Sequence, residues 1–363
     1  MADNSALNSA AKNKNDEFYT QFNDIQRELN CYLDYDENVF KDKTILLPCD
    51  DPDWSNFTRF FVANFKRYKM KKLISTSYAV NSKKVNFQQV LSIFETESPQ
   101  FDATITDSRG KIFTMTEYDS EKFYLDNLHW NYLEGDGDFR SEEVKKLFAE
   151  ADVIITNPPF SLFREFLKQI IDFDKKFLII GNINCITYKE VFPLIMQNKI
   201  WIGPSIHSGD RKFYVPEEYP LEAATCGIDE RGRRFINIKG VRWFTNLEHG
   251  RRHEPLRLMT YARNIRYSKH KAIKNIGYKK YDNYDAIEVP FTDAIPDDYE
   301  GVMGVPITFL DKYCPEQFEI LGHTSSADLS PAVEALRTDP QNRNRGIING
   351  QQKYDRILIR HRK

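Results

Sequence analysis

The 363-residue chain lacks any apolar run near the roughly 18 residues that a membrane-spanning helix needs, so no transmembrane segment is expected. Met1 to Asn15 is polar and has no apolar stretch of the kind that makes a secretory signal. Residues 1–15 are expected to form a flexible arm. Cysteine is sparse: Cys31, Cys49, Cys185, Cys226 and Cys314 are odd in number and widely spaced, with no C-x-x-C pair. That pattern indicates neither a disulfide framework nor a zinc site, and suits reduced thiols in a cytoplasmic protein. No metal set stands out. No G-x-G-x-x-G follows the first strand, which argues against a nicotinamide dehydrogenase. A large net charge is also missing, since the formal value is -2.

That average hides an asymmetry. Between Arg231 and Lys280 there are fifteen Lys or Arg and two acids, Glu248 and Glu254. Such a field neutralises phosphates and steers a polyanion, whereas its bland alternative is a solvated basic face. The rest is ordinary globular composition, with 41% hydrophobic and 29% charged residues.

Lys43-Thr-Ile-Leu-Leu-Pro-Cys-Asp-Asp-Pro52 reads as a buried strand ending in a turn. Trp54 to Tyr68 carries Phe57, Phe60, Phe61, Val62 and Phe65 at helical spacing, and Lys72 to Tyr78 is a second strand. A further strand is expected near Ala103 to Thr106. Ser141 to Ala149 reads as a helix that Ser141 can cap. Asp152-Val-Ile-Ile-Thr156, Lys176 to Gly181 and Lys199 to Gly203 read as strands, with helices over Ser161 to Ile171 and Tyr188 to Gln197. This alternation predicts an α/β fold with an open, mostly parallel sheet covered on both faces. Beyond residue 204 helical periodicity is weak. Phe213 to Pro216, Arg234 to Lys239, Val241 to Phe244 and Lys353 to Arg360 suggest strands, and Gln341 to Gly350 a loop.

The strongest local feature is Asn157-Pro158-Pro159-Phe160, at the carboxyl end of a central strand, where open α/β sheets place ligands. Two prolines fix the backbone and end the ladder while leaving carbonyl acceptors. The Asn157 side-chain carbonyl and the Pro158 backbone carbonyl form an acceptor pair for the two hydrogens of an amine. Phe160 offers a flat face to a ring. An amine whose lone pair is delocalised into a purine would be activated there by positioning and fixed dipoles, without a strong base. The bland alternative is a strand-ending turn with Phe160 in the core. A methyl donor would lie across the first strand ends. Pro48, Cys49, Asp50 and Asp51 offer backbone and a carboxylate for its amino-acid part, with Asp50 or Asp51 able to hold an ammonium. Asp136, Asp138 and Phe139 suit its adenine.

With these residues in place, the chain resembles the adenine-specific DNA methyltransferases of the EcoRI modification-enzyme type. The Asn157-Pro-Pro-Phe160 tetrad matches the family's catalytic motif, which implies that Asn157 and Pro158 contact the target amine and Phe160 stacks on a flipped base. Asp16-Glu-Phe-Tyr-Thr-Gln21 resembles its N-terminal cofactor motif and implicates Tyr19 and Thr20. Asp136-Gly-Asp-Phe139 resembles the motif near the cofactor adenine and implicates Asp138 and Phe139. The turn Pro48-Cys-Asp-Asp-Pro52 departs from the glycine-rich pattern of methyltransferases in general but is similar to this subgroup's version. The acid that usually follows the second strand is absent from Ser77-Tyr-Ala-Val80. His249 to Leu256, Tyr281 to Ala286, Gly301 to Pro306 and Arg356 to Arg360 look like further family blocks, so the likeness spans the chain after about residue 12.

The resemblance implies a Rossmann-like class I methyltransferase fold, S-adenosyl-L-methionine as cofactor, and double-stranded DNA as partner. No membrane and no metal are called for. It implies a catalytic domain over residues 16–203 and a target-recognition region over 204–363, whose last strand could return to the core. Arg231, Arg233, Arg234, Arg242, Arg251 and Arg252 are the candidate DNA contacts. A monomer suffices, and a cognate restriction endonuclease in the same system is allowed. Two rivals remain: an RNA or protein amine methyltransferase on the same fold, and a non-catalytic DNA-binding protein on that scaffold.

Overall fold

The computed structural model describes residues 20–53, 55–79, 105, 108–118, 128–207, 210–215, 226–324, 330–339 and 345–362. These fall into two compact units, one within Met1–Cys185 and Gly203–Glu248, the other within Ile186–Ile202 and His249–Lys363. The expected arm, Tyr19, Trp54, residues 103, 104 and 106 of the expected strand, and loop residues 341–344 lie outside the described residues.

In chain order the first unit holds α1 (Phe22–Leu33), β1 (Thr44–Leu47), α2 (Asn56–Asn64), β2 (Lys72–Thr76), β3 (Lys111–Thr116) and β4 (Trp130–Tyr132). There follow α3 (Glu142–Glu150), β5 (Val153–Thr156), α4 (Phe163–Asp172) and β6 (Lys176–Asn182). β1 and β5 are buried at every residue, which is why they read as unbroken apolar runs rather than alternating ones. Ser55 and Ser141 cap α2 and α3 by accepting from Phe57 N and Val144 N, so each hydroxyl satisfies an orphan first-turn donor. Phe57, Phe60 and Phe61 of α2 join Ile45 and Leu47 of β1 in the main core.

The sheet runs in the order β4-β3-β2-β1-β5-β6. β1 is parallel to both β2 and β5, and β5 to β6, while β3 and β4 are antiparallel at one edge. The strand order therefore reverses between β1 and β5. That reversal opens a crevice at their carboxyl ends.

The later strands of this unit are β7 (Asp210–Tyr214), β8 (Cys226–Ile228), β9 (Arg234–Lys239) and β10 (Val241–Thr245). β9 pairs antiparallel with β7 and β8 in a small separate sheet. β10 pairs antiparallel with β6, Trp243 opposite Ile180. The expected break at residue 204 is thus displaced, because the buried strand Val241–Thr245 extends the main sheet and carries this unit to Glu248.

The second unit contains a five-stranded sheet in the order Lys279–Lys280, Ile287–Glu288, Met303–Val305, Ile357–His361, Phe318–His323. The terminal strand belongs to this sheet, and does not return to the main one. The expected helix from Tyr188 is shorter, Phe192–Met196, because Pro193 has no N–H and fits only a first turn. The strand expected over 199–203 is Trp201–Ile202. No helix among the described residues is long and apolar enough to cross a membrane.

Candidate active site

Three turns meet at the carboxyl ends of the parallel strands. The turn after β1 (Pro48 to Asp53) and the turn after β5 (Asn157 to Phe160) are tied directly. The Thr156 hydroxyl donates to Asp50 Oδ2 at 2.6 Å, and the Ser55 hydroxyl donates to Asp50 Oδ1 at 2.7 Å. Asp50 also takes its place through its backbone, since its N–H donates to Thr76 O at 2.9 Å and the Ser75 hydroxyl donates to its carbonyl. Asp50 is buried, and its carboxylate serves the join between the two strand ends.

The third turn, Asp136 to Arg140, packs against the end of β2. Ala79 N–H donates to Asp136 O at 2.7 Å. Gly137 has φ +79°, and a Cβ there would lie 2.1 Å from Ser77 O, so only glycine fits this approach. Gln169 of α4 donates to Phe139 O at 2.7 Å and fixes the turn from the other side. Phe139 is buried and meets Phe166 edge-on at 5.0 Å. The Asp138 carboxylate takes three hydrogen bonds from Arg140, at 2.8 Å from N, 2.9 Å from Nε and 2.6 Å from Nη2. Arg140 in turn donates to Glu165 at 3.0 Å, and its hydrogen bonds to Asp138 hold the guanidinium firmly protonated.

Between these turns lies a cleft of about 500 Å³, its open mouth included. Pro48 and Cys49 line it from β1, Tyr78 from β2, Gly137 to Arg140 from the third turn, and Pro159, Ser161 and Leu162 from beyond β5. The structure thus brings together Pro48, Cys49, Asp138, Phe139 and Pro159 of the residues singled out in the sequence. Asp50, Asp51 and Asp136 sit one or two positions outside the lining. Asn157 and Pro158 are buried, while Pro159 and Phe160 are half-buried where a short 3-10 turn, Phe160–Leu162, leads into α4. Thr20 is buried with no hydrogen-bond partner for its hydroxyl, and its carbonyl accepts from Asn56 at 2.8 Å.

Sequence reasoning missed Tyr78, Arg140 and Lys111. Tyr78 stands in the segment where the family pattern places an acid, and brings an aromatic ring to the cleft instead. Lys111 begins β3 and is buried, with its ammonium 2.7 Å from Asp53 Oδ2 and 3.2 Å from Asp51 Oδ2. No local motif marks it, because its partners are about 60 residues away (Asp51 is separated by 60). Among the described residues no three His, Cys, Asp or Glu side chains gather as metal ligands.

Two of the six candidate arginines are not surface groups. Arg242 is only 3% exposed on β10 and donates to Val241 O at 2.8 Å and His207 O at 2.6 Å. Arg252 is 7% exposed, lies 3.7 Å over the Trp201 ring and donates to Asn198 at 3.0 Å. Both guanidiniums are spent inside their own units, so neither is free to clamp a phosphate. Arg231, Arg233 and Arg251 are exposed and Arg234 is half-buried; Arg233 pairs with Asp229 at 2.8 Å and lies over Tyr214. Between residues 255 and 281 there are eight basic side chains and no acid. Arg257, Arg263, Arg266, Lys271 and Lys274 are exposed there, around a helix (Tyr261–Tyr267) that Thr260 caps.

The family model for the adenine-specific methyltransferase EcoRI matches residues 6–362. The chain is 41% identical over 362 residues to the Type II methyltransferase M.EcoRI of Escherichia coli, covering 100% of this chain and 98% of the relative. It is 33% identical over 360 residues to the Type II methyltransferase M.MgeORF184P of Mycoplasma genitalium, and 31% identical over 364 residues to the Type II methyltransferase M.MpnI of Mycoplasma pneumoniae. Each of those alignments covers 98% of both chains. No solved structure matches the chain significantly. A match over almost the whole chain, on a mixed sheet with its cleft at the point of strand reversal, makes this protein an enzyme of the EcoRI family of adenine-specific methyltransferases.

Proposed function

We propose that this enzyme transfers a methyl group from S-adenosyl-L-methionine to the exocyclic N6 amine of adenine in duplex DNA, at a specific site and on a flipped base. The observation that carries the reading is the join of the two turns: the β1 turn and the Asn157–Phe160 turn are tied through Asp50 and Thr156 beside one cleft.

The residues present fit the donor. Phe139, Tyr78, Pro48 and Leu162 offer apolar walls to a nucleoside, and Asp138 offers an acceptor. When bound, the donor supplies an electrophilic methyl carbon on a sulfonium. The chain's own part is positioning. Asn157 Oδ1 and the Pro158 carbonyl accept the two amine hydrogens, which favours a tetrahedral nitrogen and localises its lone pair. The Asn157 amide and Pro158 are buried, so these dipoles are not diluted by water. Phe160 stacks on the extruded base and offsets part of the few kcal/mol that unstacking costs. The proton shed after methylation leaves from the same nitrogen to solvent, so no strong base is required.

Arg231, Arg233, Arg251 and the exposed cations around Tyr261–Tyr267 supply the phosphate contacts. The enzyme acts as a monomer in the cytoplasm. Incubation with labelled donor and duplex DNA, RNA or protein tests the reading. Label is expected on adenine N6 of duplex DNA. Asn157→Ala is expected to keep donor binding and lose at least about 100-fold in turnover, as for removal of a preorganised dipole. Label on RNA or protein alone, or near-normal turnover in the variant, refutes the assignment.

A further inference from the structure

The β1 turn contains no glycine between Pro48 and Asp53, so its shape is held by side chains rather than by a flexible backbone. Lys111 is the centre of that support. β3 runs antiparallel to β2, so its first residue arrives at the carboxyl ends of the parallel strands. The Lys111 ammonium is 2.7 Å from Asp53 Oδ2, 3.2 Å from Asp51 Oδ2 and 4.8 Å from the Trp130 ring centroid. Trp130 Nε1 donates to Asp53 Oδ1 at 2.6 Å. Both Asp53 oxygens therefore have close partners. Asp51 has the looser contact with the ammonium, and among the described residues its carboxylate otherwise accepts the Asp53 N–H, at 2.9 Å.

Two carboxylates thus share one ammonium among the described residues, with side chains only 8%, 11% and 5% exposed for Asp51, Asp53 and Lys111. A buried group of this kind carries an unmatched negative charge and is stabilised by one more cation beside it. Burial and the charge of Asp51 push the Asp53 carboxyl above its usual range, as the excess requires. Asp51 lies two positions beyond Cys49, which lines the cleft.

We propose that Lys111 is a positioning residue for the methyl donor: it anchors Asp53 and so leaves Asp51 as the carboxylate that receives the donor's α-ammonium. This rests on the donor reading given above. The experiment measures equilibrium binding of S-adenosylhomocysteine and of its analogue lacking only the α-amine, in the full chain. The wild-type protein should prefer the amine-bearing ligand by about tenfold or more, as expected for a charge-assisted hydrogen bond. Lys111→Met should reduce that preference to near unity, Lys111→Arg should keep most of it, and Asp51→Asn should abolish it with Lys111 in place. The ratio within each variant is insensitive to a general loss of affinity, so damage to the fold does not imitate the effect. Lys111→Met that keeps the wild-type preference, or Asp51→Asn that does so, overturns the proposal. A wild-type protein that binds neither ligand refutes the donor reading itself.

Discussion

Gly137 gives a prediction whose size can be worked from the geometry. Gly137→Ala meets two costs. Its φ of +79° is a left-handed conformation, which costs an L side chain about 1–2 kcal/mol. Its Cβ would also lie 2.1 Å from the Ser77 carbonyl oxygen, a backbone atom that cannot rotate away. Relieving such overpacking costs about 1–3 kcal/mol more. Gly232 separates the two terms, because it has φ +76° but nothing within 4 Å of the added carbon. Gly232→Ala, at about 1.5 kcal/mol, should therefore lower the melting temperature by roughly 3–6 °C, and Gly137→Ala, at about 3.5 kcal/mol, by roughly 7–14 °C. The clash can be eased only by moving the Asp136–Arg140 turn off the end of β2. A shift near 1 Å there would displace the walls of the cleft and weaken donor binding by about 10- to 100-fold. Gly232→Ala should leave donor binding alone. Differential scanning calorimetry and isothermal titration with S-adenosylhomocysteine read the two effects. Equal melting temperatures for the two variants, with unchanged donor affinity in Gly137→Ala, would refute the close-approach argument.

Two further outcomes follow from the site and the basic surface. Phe160→Ala should weaken stabilisation of the extruded base by about 1–3 kcal/mol, the worth of a base-aromatic stack, while duplex affinity changes far less; an unchanged signal from 2-aminopurine at the target position would remove the stacking role. Neutralising Arg263, Arg266, Lys271 and Lys274 together should reduce the slope of log affinity against log salt by up to about 4, whereas Arg242→Met should lower stability and leave that slope alone; the opposite pattern would show that the exposed helix is not part of the phosphate footprint.

The central α/β core was readable because its strands are buried on both faces. Thr44–Leu47 and Val153–Thr156 have no polar face to confuse the period, and the tetrad at 157–160 marks the end of one of them. The edge of the sheet was harder. β3 carries Lys111, Thr114 and Thr116, so its short alternating run looks like a loop. β10 was legible as a strand, but nothing local says that Val241–Thr245 crosses back to pair with β6. That pairing is a long-range choice, and it moved the domain boundary. The arginines show the same limit. Arg242 and Arg252 are charged residues in a basic stretch, and composition places them on the surface. Their burial depends on a carbonyl, an amide and an indole supplied by distant segments. Lys111 was invisible for the converse reason, since its meaning comes from two aspartates in another turn.

The hydroxyl of Thr156 links the two halves of the chemistry more tightly than sequence order suggests. Because it grips Asp50, the turn after β1 is bolted to the turn after β5, the two turns that the proposed function assigns to donor and acceptor. Neither can be retuned alone. An altered first turn would drag the second with it, so changes at this crevice should succeed only in matched sets, and the spacing between the two turns is set by the scaffold rather than by anything bound there.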